Sequence, residues 1–204
     1  WRALWNTVYY SVGSLIPGII ISLLYALVLT AKWFKAAAFS RVVFFIPVVL
    51  SYVIAGLLFS WMYHPSIGFL NYILYSLNLP PVKWLGDPRI AMLSVILMVI
   101  WKNLGYNITI WCAGLYSIPE EYRDAAKIDG ASGWQEFWRI RFPLLRDVFI
   151  FLLVLGFLGS FQSFDSIYTL TQGGPMLSTR VIVYYLWQNA FQYYKMGYAA
   201  AMAW

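Results

Sequence analysis

Five of the eight carboxylates in this 204-residue chain, Glu120, Glu121, Asp124, Asp129 and Glu136, crowd into residues 117–143 beside Arg123, Lys127, Arg139 and Arg141. Carboxylates in such numbers could exchange protons or hold a metal, but both tasks call for partners. The chain has one histidine, His64, beside Pro65, and one cysteine, Cys112, inside an apolar run. His64 reads as a loop residue, and nothing in the sequence resembles a metal site. A membrane-embedded enzyme would need His, Asp and Glu converging on one membrane face. The single histidine and the gathering of carboxylates in one segment argue against it. No Walker A loop is present. The chemistry left to residues 117–143 is recognition, in which charged and small side chains on short helices meet another molecule.

The segment predicts two helices. Ser117-Ile-Pro-Glu120 has the spacing of a capping box, with Pro119 in the first turn, where a missing N–H costs little. That helix runs to about Ile128, and Gly130 is its natural stop. Asp129-Gly130 makes the corner. Ser132-Gly-Trp-Gln135 is a second capping box, opening a helix expected to end before Pro143. Tyr122, Ala125, Ala126 and Asp129 share a face of the first helix by i, i+3, i+4, i+7 spacing, and its two alanines permit close approach of a partner backbone. Phe137, Ile140 and Arg141 share a face of the second. The alternative is an interfacial hairpin resting on lipid headgroups.

The elements that position this island are apolar. The chain is 62% hydrophobic and 11% charged, against about 25% charged in soluble domains. Its apolar residues form long blocks, the mark of a membrane protein. The net charge of +6 sits in the breaks between blocks, so topology explains it and a nucleic-acid surface does not. Five spans are expected: Thr7–Thr30 with Pro17 inside, Arg41–Met62 broken or bent at Pro47, Ile90–Leu115, Asp147–Tyr168, and an incomplete one from Arg180. Residues 64–89 form a loop with a short amphipathic stretch around Phe69–Leu77, and Thr171–Pro175 a tight turn. Lys32, Lys35 and Arg41, and the island's Arg123, Lys127, Arg139, Arg141 and Arg146, outnumber the cations of the opposite breaks. The positive-inside rule therefore puts the 31–41 turn and the island in the cytoplasm. Trp1 and the apolar C-terminal end suggest an excerpt lacking at least one N-terminal span and the end of its last one.

One set of residues matches a known family. Asp124-Ala125-Ala126, then Gly130, then Ile140-x-Phe142-Pro143, resembles the Glu-Ala-Ala motif (the EAA motif) in the cytoplasmic loop of binding-protein-dependent ABC transporter permeases. Asp replaces the first Glu and Phe replaces Leu, and both keep the chemical type. Trp5-Asn6-Thr7, Phe69-Leu70-Asn71-Tyr72, Trp101–Tyr106, Phe164–Pro175, Ala190-Phe191 and Gly197–Ala201 narrow the resemblance to the carbohydrate-type branch, similar to maltose and glycerol-3-phosphate permeases. The resemblance covers residues 1–204 as one transmembrane domain, with a coupling loop at about 116–146.

The resemblance implies the all-α fold of a type I ABC importer transmembrane domain, six spans in the intact subunit, in a bacterial or archaeal inner membrane. It implies a second, homologous permease, a cytoplasmic ATPase dimer and an extracytoplasmic solute-binding protein as partners, a sugar or sugar-like substrate, and no nucleic acid. The chain itself would be no enzyme and bind no cofactor, with ATP and magnesium held by the ATPase. Glu121, Asp124, Ala125, Ala126, Asp129, Gly130, Ile140 and Pro143 would couple to that ATPase. Polar groups within spans are costly and so mark function. Lys102 lies mid-span. In similar sugar permeases the third and fourth spans line the substrate site, which nominates Trp101, Asn103, Gly105, Tyr106, Phe161, Gln162, Ser163, Phe164 and Asp165. Their alternatives are bundle pairing for Lys102, a helix-end position for Asp165 and the interfacial belt for the aromatics. A secondary transporter is the competing class. It usually carries acidic or histidine coupling groups at mid-membrane and repeat halves, of which only Lys102 offers anything.

Overall fold

A computed structural model describes residues 1–31 and 33–204, so the expected role of Lys32 in the cytoplasmic turn lies outside the described residues. The described residues are mostly helical and form no strands. In chain order the helices are α1 (Arg2–Leu29), α2 (Ala37–Val49), α3 (Tyr52–Met62), α4 (Phe69–Ser76), α5 (Ala91–Tyr116), α6 (Glu120–Ile128), α7 (Gly133–Glu136), a π turn at Phe137–Arg141, and α8 (Phe142–Leu144). There follow α9 (Arg146–Phe161), α10 (Asp165–Leu170), α11 (Ile182–Trp187), a π turn at Gln188–Gln192, and α12 (Met196–Ala203). By length and composition α1, with 28 residues, and α5, with 26, each suffice to cross a membrane. Val8, Val12, Ile16, Ile20 and Leu24 stand exposed along one stripe of α1, a face suited to lipid or to another helix.

The breaks depart from expectation in instructive ways. Pro17 lies within an unbroken α1. The second apolar block breaks at Leu50–Ser51 and not at Pro47, because the Ser51 hydroxyl caps α3 by accepting from the Ile54 N–H at 3.2 Å. The fourth block is not one helix to Tyr168: it stops at Phe161 and resumes as α10. The stretch from Arg180, expected as an incomplete fifth span, holds two short helices with a turn between them. The Asn189 side chain donates to the Tyr185 carbonyl at 2.8 Å, and the Asn189 carbonyl accepts from the Lys195 N–H at 2.8 Å, so the chain turns instead of continuing.

The helices distribute into two compact units. One comprises Trp1–Ile16, Leu50–Lys102 and Phe157–Trp204. Its core holds Tyr10, Phe59, Met92, Val95, Ile167 and Tyr184. Here α3 lies on α10 so closely that a Cβ on Gly56 would run into the Thr169 side chain. Asn6 donates to the carbonyls of Leu177 (3.0 Å) and Arg180 (3.1 Å), and the Thr7 hydroxyl accepts from the Ile182 N–H at 2.9 Å. Trp5-Asn6-Thr7 thus ties the start of α1 to the turn before α11. Buried Asn71 pins the 64–89 loop. Its amide donates to Pro65 and Val82 carbonyls, both at 2.9 Å, and its carbonyl accepts from the Val82 N–H (3.0 Å) and Trp84 Nε1 (3.1 Å).

The other unit comprises Pro17–Val49 and Asn103–Gly156. Within it α5 is pressed on two sides through glycines. A Cβ on Gly105 would strike the Phe44 carbonyl of α2, and one on Gly114 would come within 2.8 Å of Val148 of α9. Nine residues apart, the two glycines face opposite ways on one helix. Tyr25 packs on Phe44, Trp111 on Phe149, and the Arg41 guanidinium donates to the Tyr116 hydroxyl at the end of α5. Everything in the charged island hangs from this unit.

Candidate functional site

The island is a helical hairpin. The expected capping box at Ser117 is not formed, because Ser117 still belongs to the last turn of α5. Its N–H bonds the Ala113 carbonyl and its hydroxyl donates to the Gly114 carbonyl at 2.8 Å. Pro119 takes the N-cap position of α6 with no side-chain bond. The helix dipole is met by charge instead, with Glu120 and Glu121 in the first turn and Lys127 in the last. The Asp124–Lys127 pair at 2.9 Å is largely exposed and adds little.

The corner is a Schellman motif. Gly130 has φ +72°, its N–H donates to the Lys127 carbonyl at 3.1 Å, and the Ala131 N–H donates to the Ala126 carbonyl at 2.9 Å. A Cβ at Gly130 would meet nothing within 4 Å. The glycine therefore answers a backbone requirement alone, and the outer surface of the corner stands open. The second capping box forms as expected: Ser132 Oγ accepts from the Gln135 N–H at 3.3 Å and Gln135 Oε1 from the Ser132 N–H at 2.9 Å.

Pro143 does not end the second helix. The π turn precedes it, with the Phe142 N–H reaching back five residues to the Phe137 carbonyl. Widening the turn accommodates a residue that has no N–H and whose ring would crowd an α-helical carbonyl. The chain stays helical to Leu144, and its axis over residues 133–144 makes 64° with that of α9.

One carboxylate locks the hairpin, and the sequence reading passed it over. Glu136 is buried. Its Oε1 accepts from Arg123 Nε of α6 at 3.2 Å and from Arg141 at 2.8 Å (Nε) and 2.5 Å (Nη2). Arg123 and Glu136 stand at nearly equal distances either side of Gly130, a symmetry about the corner that could have suggested the pairing. With its acid so engaged, the face toward the second helix is closed. Ala126 is buried there, at 4% exposure, contrary to its expected place on a presented face. Ala126 follows Arg123 by one helical turn, on the side where α6 meets its neighbour. Glu121, Tyr122, Asp124, Ala125, Asp129 and Gly130 are exposed, as is Pro143, while Ile140 is half-buried.

The candidate pathway residues divide between the two units. In the first, Trp101 lies 5.1 Å from the Phe59 ring, and buried Lys102 holds its ammonium 4.3 Å from the centre of the Tyr52 ring. Lys102 thus lies over an aromatic face within the bundle and does not reach for solvent. Ser163 shares hydrogen bonds with Tyr10 and Ser166, both at 2.8 Å, at the break between α9 and α10. Phe164 joins Tyr168, Tyr184 and Trp187 in an aromatic cluster, Phe161 packs on Phe157 at 4.5 Å, and Gln162 and Asp165 are exposed. In the second unit Asn103 is half-buried and Tyr106 exposed, while Gly105 serves the close approach of α2. No group of three or more His, Cys, Asp and Glu that could hold a metal occurs among the described residues.

Comparison with known proteins places these features in context. Residues 4–204 match the family described as "Binding-protein-dependent transport system inner membrane component". The probable ABC transporter permease protein YurN of Bacillus subtilis is 37% identical over all of this chain and 70% of its own length. The arabinooligosaccharides transport system permease protein AraP of the same organism is 33% identical over 99% of this chain and 65% of its own. The trehalose/maltose transport system permease protein MalF of Thermococcus litoralis is 35% identical over 97% of this chain and 65% of its own. The chain thus spans about two thirds of the length of these relatives. Among solved structures, that of a bacterial ABC transporter involved in the import of the acidic polysaccharide alginate superposes with a TM-score of 0.89, at 27% identity, over 99% of this chain and 71% of the matched one.

Proposed function

The chain belongs to the family of binding-protein-dependent transport system inner membrane components, multi-pass membrane permease subunits that are not themselves enzymes, and from that premise we propose its part in a sugar importer. With a second, homologous permease it forms the path by which a sugar or sugar-like solute crosses the membrane. ATP and magnesium are held by a separate cytoplasmic ATPase dimer, and a solute-binding protein delivers substrate on the outer side. The hairpin α6–α8 is the coupling element, facing the cytoplasm.

The observation that supports this reading best is the hairpin's construction. Its motif residues Asp124, Ala125, Asp129 and Gly130 are presented outward. The Schellman corner and the Glu136 clamp hold that surface in one shape. A surface preorganised in this way loses little entropy on docking. A rigid hairpin also transmits a push, which is what closing of an ATPase dimer would deliver to the bundle. The relatives' sugar substrates, with the aromatic cluster around Phe164 and the polar groups near the α9–α10 break, support the substrate class. Sugar C–H faces stack on such rings.

The test uses the full-length subunit assembled with its partner permease and ATPase. The cysteine probe belongs at exposed Ala125, not at buried Ala126, in a Cys112→Ser background. A crosslink from Ala125→Cys to the ATPase that changes with nucleotide is expected. Its absence in a folded, complete assembly would refute the coupling role and restore the secondary-transporter reading.

A further inference from the structure

We propose that the second helix of the hairpin is a bilayer anchor: its Trp134–Trp138–Phe142 stripe seats at the headgroup–acyl boundary, and Arg139 and Arg146 meet phospholipid phosphates. The inference rests on the permease reading only in taking α9 as a membrane span.

The stripe is continuous, exposed at its two tryptophans and half-buried at Phe142. Trp134 is 72% exposed and Trp138 46%. Successive rings meet at 5.6 Å (Trp134–Trp138), 5.0 Å (Trp138–Phe142) and 6.0 Å (Phe142–Phe149). The first three lie four residues apart and so share a face. The fourth belongs to α9, so the ladder climbs from the hairpin into the spanning helix. Ile150, Phe151 and Val154 are exposed on other sides of α9 from Phe149, so the spanning helix presents apolar surface of its own.

The geometry places this helix along the interface. An axis at 64° to α9 makes about 44–84° with the membrane normal when α9 crosses with the usual tilt of about 20°, and so lies nearer the plane over nearly all of that range. Twelve residues of helix at 1.5 Å each give a length of about 18 Å for lipid contact. Interfacial helices bury an apolar face to a depth of about 5–10 Å. Tryptophan is favoured at that depth because its ring is apolar while its N–H wants a polar partner. Among the described residues neither Trp134 nor Trp138 has an acceptor for its indole N–H, and neither of the exposed guanidinium groups of Arg139 and Arg146 has a hydrogen-bond or ion-pair partner. Unpaired donors and cations beside an apolar stripe complement phosphate above acyl chain. The acidic, small-residue surface of α6 has the opposite character and suits a protein. Each helix of the hairpin therefore addresses a different neighbour. Because Glu136 bonds both Arg141 and Arg123, the anchor sets the depth at which α6 is held.

The experiment places the full-length subunit, with its partner permease and with or without the ATPase, in nanodiscs containing phosphatidylglycerol. A bimane probe is attached at Trp138→Cys or, as the contrasting site, at Ala125→Cys, in a Cys112→Ser background. The probe at 138 should be quenched at least twofold by lipid spin-labelled near the headgroup, and be protected from aqueous iodide with or without ATPase. The probe at 125 should show the reverse until ATPase binds. Protection of 138 that appears only with the ATPase would assign the stripe to a protein partner and overturn the proposal, as would iodide quenching without lipid quenching. Should the cysteine variant fail to assemble, brominated lipid provides a second reading. It should quench the tryptophan fluorescence of the unsubstituted complex more than that of the Trp134→Phe/Trp138→Phe variant, and equal quenching would overturn the proposal.

Discussion

Gly130 offers a way to separate backbone strain from partner contact at the corner of the proposed coupling hairpin. Its φ of +72° lies in the left-handed region, which costs an L-residue roughly 1–2 kcal/mol. No atom lies within 4 Å of a Cβ built there. Alanine and glutamate therefore incur nearly the same strain within the free subunit. That strain falls short of what holds the hairpin. The Ser132 capping box contributes about 1 kcal/mol, and each charge-assisted bond to Glu136 contributes about 1.5–3 kcal/mol. Gly130→Ala should leave the corner formed, and asparagine, which tolerates the left-handed region better, should disturb it less still. Gly130→Glu differs from alanine only in what it projects outward. Titrating ATPase subunit onto the full-length permease pair in nanodiscs reads the difference. The alanine and asparagine variants should bind within about threefold of wild type, a free-energy change under about 1 kcal/mol, since 1.4 kcal/mol is a factor of ten. The glutamate variant should insert normally, bind at least tenfold more weakly, and lose transport. Equal binding by the alanine and glutamate variants would refute the reasoning, because it would mean that nothing meets the corner.

Four other outcomes follow from the packing. Glu136→Gln should cost the hairpin about 1–2 kcal/mol, since it keeps a weaker acceptor for two half-buried guanidiniums, and Glu136→Ala should cost more; loss of the nucleotide-dependent Ala125→Cys crosslink in the alanine variant, with insertion intact, measures this. Gly105→Ala should lower the subunit's melting temperature in detergent by several degrees, because overpacking against the Phe44 carbonyl costs about 1–3 kcal/mol, while Gly133→Ala, with open space around it, should not. Asn71→Ala should loosen the 64–89 loop, leaving two carbonyls and two N–H groups without their partner at about 2–4 kcal/mol in total, read as faster hydrogen exchange over residues 64–89. Lys102→Met removes the ammonium's contact with the Tyr52 ring and should cost the bundle about 0.5–2 kcal/mol; a fall in uptake by subunit that still assembles would assign Lys102 to the solute path, and normal uptake to the bundle.

What was legible in the sequence was local. The capping box at Ser132 and Gln135 needs only residues three apart, and it formed as read. Ser117-Ile-Pro-Glu120 has the same spacing and did not, because the serine closes the last turn of α5 and gives its N–H and hydroxyl to the Ala113 and Gly114 carbonyls. Pro143 looked like a stop because propensity counts its missing N–H, yet a π turn four residues earlier relieves the crowding and the helix passes through. Gly105 sat in a segment nominated for the solute path, while the fold spends it on the contact with α2. Glu136 was invisible for a different reason. Its value lies in two arginines, one of them thirteen residues away across a corner, and no periodicity on a single helix connects them. Ala125 and Ala126 make the point most sharply. In the sequence they are one motif, but α6 sends the first outward and the second in against its neighbour. A docking surface read as a string of residues therefore mixes those that touch the partner with those that hold the touching residues in place. Only the second kind should lower the hairpin's own stability when changed, and only the first should alter partner binding at full stability. On that criterion Ala125→Glu and Ala126→Glu, one residue apart, should fail by opposite routes: the first with a folded hairpin that no longer binds ATPase, the second with a hairpin whose amides exchange freely.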